Sequence, residues 1–238
     1  REERVAMLFG LVKFFFLPLM LNFFFFNVGD LQSNYAALRD TGAMSIEIFN
    51  AIVFPMLIAL IFTVDTLYFA FGYAFESSAL GNIVRSVEPT LLGWAVTLAS
   101  YPPFNGFVTV YLLWHANDFL TLPSELATFA IRVPILFFLL IYVWASVALG
   151  AKCSNLTNRG IVSRFPYSLI RHPAYAAKNI AWWITVLPLL NPIAYASMFA
   201  WSTIYYLRAI TEERHLIQDP DYQSYVKRVP FKFFPGVW

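Results

Sequence analysis

A chain of 238 residues that is 59% hydrophobic and 13% charged, with a mean hydropathy of +0.62, is too apolar for a water-soluble domain, for which roughly 45–50% apolar and about 25% charged residues are usual. The formal net charge of +2 is too small to point to nucleic acid, and the aromatic residues fall in apolar runs instead of alternating with basic ones. One cysteine, Cys153, excludes an internal disulfide framework and a multi-cysteine metal site, and three scattered histidines offer no metal centre.

A membrane-crossing helix needs about 20 mostly apolar residues, because the hydrocarbon core is roughly 30 Å thick and a helix rises about 1.5 Å per residue. Residues 5–27 meet this, interrupted only by Lys13, Pro18 and Asn22. The run is too long for a signal-peptide core and no small-residue cleavage site follows, so it is expected to be a retained span. Residues 46–71 meet the criterion again, with Asp65 inside. Residues 90–114 form a third segment whose Tyr101-Pro102-Pro103 must break or kink it. A fourth covers 124–150, opened by Pro123-Ser124-Glu125 and closed by Gly150. Segments 175–190 and 193–210 are shorter, and their Asn191-Pro192 join has almost no polar residues to sit in water. That pattern predicts a hairpin of two helices returning to its side of entry.

The predicted fold is therefore all-α: a polytopic integral membrane protein with four spanning helices, a membrane helical hairpin and a cytoplasmic C-terminal cap. A boundary near residue 151 separates a four-helix anchor, residues 1–150, on the lipid-substrate side from a catalytic half, residues 151–238. Loop charge sets the orientation. The 151–174 connector carries Lys152, Arg159, Arg164 and Arg171 without an acid, and the tail carries Arg208, Arg214, Lys227, Arg228 and Lys232. Loops 28–45 and 115–123 hold only Arg39. The N-terminus, with Arg1 and Arg4, the 72–89 loop, the connector and the C-terminus are then expected on the cytoplasmic side.

Arg171-His172-Pro173-x-Tyr175 stands at the entrance to the fifth segment, where proline suits a first helical turn. Open N–H groups and the positive dipole end favour an anion there, and the Arg171 fork matches carboxylate or phosphate. The plainer alternative is a positive-inside anchor with an interfacial tyrosine. Glu212-Glu213 follows the sixth segment, where two acids oppose the helix dipole. They need compensation from Arg208 or Arg214, from Arg171-His172, or from a bound cation, unless they are simply a solvated face. Asp221-Tyr222-x-x-Tyr225-x-x-x-Val229-Pro230 has helical amphipathic spacing, for a helix on the membrane surface or over the site. Phe231, Phe233, Phe234 and Trp238 read as interfacial anchors, as does His115 at the outer end of segment three. Lys13, Asp65 and Arg132 are charges inside apolar runs, each a functional candidate by default. Lys13 and Arg132 could instead snorkel to the interface. Asp65 and Glu76 either shape a substrate headgroup site or make helix–helix hydrogen bonds. Cys153 has no histidine base to make it a nucleophile.

In order, L-T-N-R-G-I at 156–161, P-Y-S-L-I-R-H-P-A-Y at 166–175, N-P at 191–192, E-E-R-H-L at 212–216 and D-Y-Q-S-Y-V-K-R-V-P at 221–230 resemble the isoprenylcysteine carboxyl methyltransferases and their relatives among the phospholipid methyltransferases. The resemblance covers about residues 155–230. It implies S-adenosyl-L-methionine as cofactor and methyl transfer to a lipid or lipidated acceptor from the bilayer, either a lipid headgroup or a prenylcysteine carboxylate. On matching positions it implies that Arg171, His172, Pro173 and Tyr175 line the cofactor pocket and that Glu212 and Glu213 hold the charged methionine end, with Leu216 and Tyr225 flanking it. Arg171 and Glu213 are then the residues expected to carry catalysis, with no metal and no nucleic acid involved. The chain departs from the family pattern at Ala177, where glycine is usual, and at Ser154-Asn155, where a histidine is common. Membrane sterol reductases, which use NADPH, look similar over the same third, through R-H-P-x-Y and the Val229–Pro235 ending. Glu212-Glu213 favours the methyltransferase branch.

Overall fold

A computed structural model describes residues 2–237. Arg1 and Trp238, read above as a cytoplasmic flank and an interfacial anchor, lie outside the described residues. The described residues are mostly helical, and among them three helices are long and apolar enough to cross a membrane: α1 (Glu2–Arg39), α2 (Ile46–Ala74) and α5, which opens the segment Glu125–Lys152. The expected count was four spans. The third expected one, 90–114, is instead two short helices, α3 (Leu91–Leu98) and α4 (Phe104–Thr109), parted at Tyr101-Pro102-Pro103. Prolines cannot continue the i→i−4 ladder, so this segment turns where a span would have run on.

α1 has 38 residues, roughly 57 Å at 1.5 Å per residue, and so overshoots both the expected end at residue 27 and the bilayer core. Nothing stops it there: residues 28–39 contain no proline, and Asn27 and Asn34 donate to the helix's own carbonyls at Phe23 and Asp30. α5 (Glu125–Leu149) keeps its predicted limits. Ser124 caps its N-terminus and Gly150, at φ +58°, takes the left-handed turn that ends it.

For two intramembrane charges the snorkelling alternative gives way to buried contacts, for reasons that lie in the backbone. α2 widens to a π-turn over Phe49–Val53, immediately before Pro55. Proline has no N–H to give, so the Asn50 carbonyl is left open, and the Arg132 guanidinium donates to it while lying 4.7 Å from the Phe54 ring centre. Arg132 is therefore buried, not snorkelling. Lys13 likewise turns inward, its Nζ donating to the Ala74 carbonyl at 3.1 Å, where a cation suits the C-terminal end of α2.

α1 packs along α2, α2 against α5, and α5 against α6 (Pro173–Val186). One core, with Phe54, Ile61, Ile135, Leu139 and Ala181, joins α2, α5 and α6. A second joins α1 to α2 through Val12, Phe16 and Tyr73, the last two rings stacked at 5.5 Å. α6 and α7 (Pro192–Leu216) run antiparallel in contact: Trp183 Nε1 donates to Ser202 Oγ at 3.1 Å and Tyr175 Oη to Glu212 Oε2 at 3.0 Å. Asn191 caps α7, its Oδ1 accepting from the Ile193 and Ala194 N–H groups. A short antiparallel pair, β1 (Ser86–Val87) with β2 (Thr157–Asn158), ties the 72–89 loop to the connector. α8 (Pro220–Arg228) and the tail close that end.

The connector crosses α2 at Gly72, where any Cβ would overlap the Cys153 carbonyl oxygen and come within 3.1 Å of its carbon. Both obstacles are backbone, which cannot rotate away. Gly72→Ala is expected to destabilise the protein by about 1–3 kcal/mol, read as a lower Tm in detergent. Gly10→Ala, with nothing within 4 Å of its added carbon, should leave Tm unchanged or slightly raised.

Candidate active site

The tail folds over the start of α6 and fixes the Arg171-His172 pair. Their backbone N–H groups donate to the Phe231 and Lys232 carbonyls, each at 2.9 Å. The Arg171 side chain donates from Nη1 to the Val229 and Pro230 carbonyls at 2.9 and 2.6 Å and from Nε to Glu213 Oε1 at 2.6 Å. His172 Nε2 lies 3.2 Å from the same oxygen, and Lys232 Nζ 3.1 Å from Glu213 Oε2. One carboxylate thus clasps three basic groups from two stretches of chain, the start of α6 and the tail. Burial opposes the charged form of Glu213, but the His172 and Arg171 hydrogen bonds and charges outweigh it and hold the carboxyl at about 2.

Successive residues on a helix point about 100° apart, so Glu212 faces elsewhere. It accepts from the Tyr175 hydroxyl and lines a cavity of about 650 Å³ enclosed by α1, α2, α5, α6, α7 and the 100–117 segment. Its wall includes the apolar side chains Met20, Phe23, Phe26, Phe62 and Phe69. It also carries both signs of charge, with Arg171, His172, Arg208, Glu212, Asp65 and Lys178. A small annex of about 50 Å³ shares Asn155, Tyr175, Arg208 and Glu212 with it, and Leu216, Glu88 and His215 are among its other lining residues.

Arg208 is 4% exposed, its guanidinium 4.9, 5.4 and 5.7 Å from the ring centres of Tyr205, Tyr175 and Tyr101. Nη2 donates to Asn155 Oδ1 at 3.2 Å, while Nε has no partner among the described residues. A buried guanidinium N–H without an acceptor is costly, so a donor is left ready at the cavity's polar end. Asn155 is held in turn by the Tyr73 hydroxyl, which accepts from its backbone N–H at 2.6 Å, and by its own Nδ2 donating to Tyr101. The next residue, Leu156, sits at φ +63°, a conformation rare for a bulky side chain. That turn delivers Asn155 to the cavity and Thr157 to the β pair.

Of the residues singled out in the sequence, Arg171, His172, Tyr175, Glu212 and Asp65 line the cavity and Leu216 lines the annex. Glu213 stands behind the wall in the clasp. Pro173 opens α6, and Tyr225, buried on α8, donates to the Tyr167 carbonyl at 2.7 Å. Glu76 accepts from the Val84 N–H at 2.7 Å and closes the 76–84 turn instead. Asp65 accepts from the hydroxyls of Tyr142, at 2.5 Å, and Ser146. The sequence reading passed over Lys178, noted Asn155 only as a departure from the family pattern, and weighed Arg208 only as a tail charge and counter-charge. Lys178 was detectable as a lone cation inside an apolar segment. Asn155 was not, because its value lies in the Leu156 turn.

Residues 135–218 match the model of the isoprenylcysteine carboxyl methyltransferase (ICMT) family. That is the family the motifs resembled, and the match supports the recognition on a methyltransferase pattern. The matched segment runs from within α5 to just past α7 and contains Tyr142, Arg171, Lys178, Arg208, Glu212 and Glu213, while α1 to α4, α8 and the tail lie outside it. No curated protein matches the chain. With three helices among the described residues long and apolar enough to cross a bilayer, the chain is read as an integral membrane protein with a segment similar to this family.

Proposed function

We propose that the protein moves a methyl group from S-adenosyl-L-methionine to a lipid or lipidated acceptor drawn from the bilayer. The observation that carries this is one cavity whose wall brings both signs of charge together with aromatic and other apolar side chains. The cofactor has a carboxylate, an ammonium and a sulfonium, and the donor set matches: an under-used Arg208, the Glu212 carboxylate and electron-rich tyrosine faces. The volume falls within the roughly 300–1,000 Å³ of small-molecule sites.

In this reading Arg208 holds the cofactor carboxylate, Glu212 its ammonium, and Tyr175 with His172 forms the wall beside it. Arg171 and Glu213 keep that wall in place, with Pro173, Leu216 and Tyr225 as its frame. When bound, the cofactor supplies an electrophilic methyl carbon. The chain's contribution is to line the acceptor up with that carbon and to exclude water, since positioning accounts for much of such a rate. The α1–α5 half, residues 1–150, supplies the acceptor side, and residues 151–238 form the cofactor half. α6 and α7 form a hairpin entering from the cytoplasmic face, where both termini lie.

A thermal-shift comparison on the purified protein tests this. S-adenosylmethionine and its demethylated product should each raise Tm, and NADPH should not. Stabilisation by NADPH alone would overturn the reading in favour of a reductase. Mass spectrometry of lipids from cells with and without the protein should then show a species heavier by one methylene.

A further inference from the structure

Lys178 is a cation without a proper counter-ion on the cavity wall. It sits on α6 with its Nζ 4.6, 5.4 and 5.4 Å from the ring centres of Tyr142, Phe62 and Trp182. Its hydrogen bond is to the Tyr142 hydroxyl, and is long at 3.4 Å. Asp65 is near enough to act on it through space, but both Asp65 oxygens are taken by the Tyr142 and Ser146 hydroxyls, and no ion pair joins the two residues among those described. An ammonium has three N–H donors, so most of its capacity is open. The aromatic cage fixes where it points, and Asp65 fixes the cage by holding Tyr142.

We propose that Lys178 selects the acceptor by gripping an oxyanion, carboxylate or phosphate, on the headgroup of an amphiphile whose tail lies along Phe23, Phe26 and Phe69. The inference deepens the methyl-transfer reading and rests on it for the acceptor role. Asp65, considered above as a headgroup contact, becomes a positioning residue that acts through Tyr142. Lys178 holds one oxygen of the anion and leaves another free. That second oxygen's lone pair forms the new O–C bond as the methyl C–S bond breaks, the bonding pair goes to sulfur, and the products are a methyl ester and a neutral thioether. No proton has to move.

Trp114, Trp182 and Trp201 line the same cavity, so tryptophan fluorescence reports its filling. The purified native protein is titrated with octanoate, octyl phosphate, octanol and octylamine. At least one anion is expected to bind roughly tenfold or more tightly than octanol and octylamine, the scale of a hydrogen bond to a charged group. Preference for octanoate alone marks a carboxylate acceptor, and preference for octyl phosphate alone marks a lipid phosphate. Lys178→Met should remove the preference and Lys178→Arg should keep it. The proposal is overturned if octanol or octylamine matches both anions on the native protein, which needs no variant to fold, or if Lys178→Met retains the preference. S-adenosylmethionine is titrated separately into the same samples. Failure of that binding with the anion preference intact sinks the methyl-transfer reading and leaves the oxyanion site, whereas the converse removes Lys178's role alone.

Discussion

Glu213→Ala is expected to lower stability by about 3–5 kcal/mol, the scale seen when one partner of a buried ion pair is removed. The reason is geometric. Arg171 is 6% and Glu213 15% exposed at the side chain, and the carboxylate meets Arg171, His172 and Lys232 together. Without it, two buried basic groups face each other uncompensated, and the tail carbonyls at Val229 and Pro230 lose a fixed donor. The native clasp has a defined pH window. Its partners hold the Glu213 carboxyl at about 2, against 4.5 for an unperturbed glutamate. A lowered folded-state value means that stabilisation is complete above the unfolded value and is lost as pH falls through the folded one. The gap in Tm between native protein and Glu213→Gln should therefore stay open around neutrality and shrink only in strong acid. A gap that closed near neutral pH would show that the carboxylate is not the stabilising element.

Arg171 both enters this clasp and lines the cavity. The residue pair was legible because Arg171-His172-Pro173 and Glu212-Glu213 each posed an electrostatic problem that the other could solve. That the two acids would separate, one to the clasp and one to the cavity, stems from the helical turn between them. Which faces which depends on where α6 lands, and that is a tertiary fact. Helix limits set by Ser124, Gly150, Pro173 and Asn191 were readable because capping is local chemistry. The overrun of α1 and the loss of a span at 90–114 were less so. Hydropathy marks where a helix is allowed in lipid, and says little about where it stops in water or which way the chain leaves a Tyr-Pro-Pro turn. The inward turn of Arg132 depends on a carbonyl freed by Pro55, on another helix, which no periodicity along α5 could reveal.

Arg208→Met is expected to abolish most cofactor affinity while leaving the fold intact, and this combination discriminates between roles. Methionine is flexible and of similar length, so it can keep packing against Tyr101, Tyr175 and Tyr205. What it removes is the charge and the unpartnered Nε. In the free protein methionine keeps the ring contacts and forfeits the Nη2 bond to the buried Asn155 Oδ1, a cost of about 1–3 kcal/mol. Tm without ligand should then fall modestly, with the folded state retained. Truncating one side of a buried charged contact costs about 2–5 kcal/mol, which is roughly thirtyfold or more in Kd, so the shift that S-adenosylmethionine produces should nearly vanish. Arg208→Lys should recover only part of it, since an ammonium cannot present the planar fork that grips a carboxylate. Unchanged cofactor affinity in Arg208→Met would assign this guanidinium to packing alone and move the carboxylate site elsewhere on the cavity wall. A collapse of the unliganded protein would instead mean that the cation joins α7 to the Asn155 turn, with the Tyr73–Asn155 contact as the next place to look.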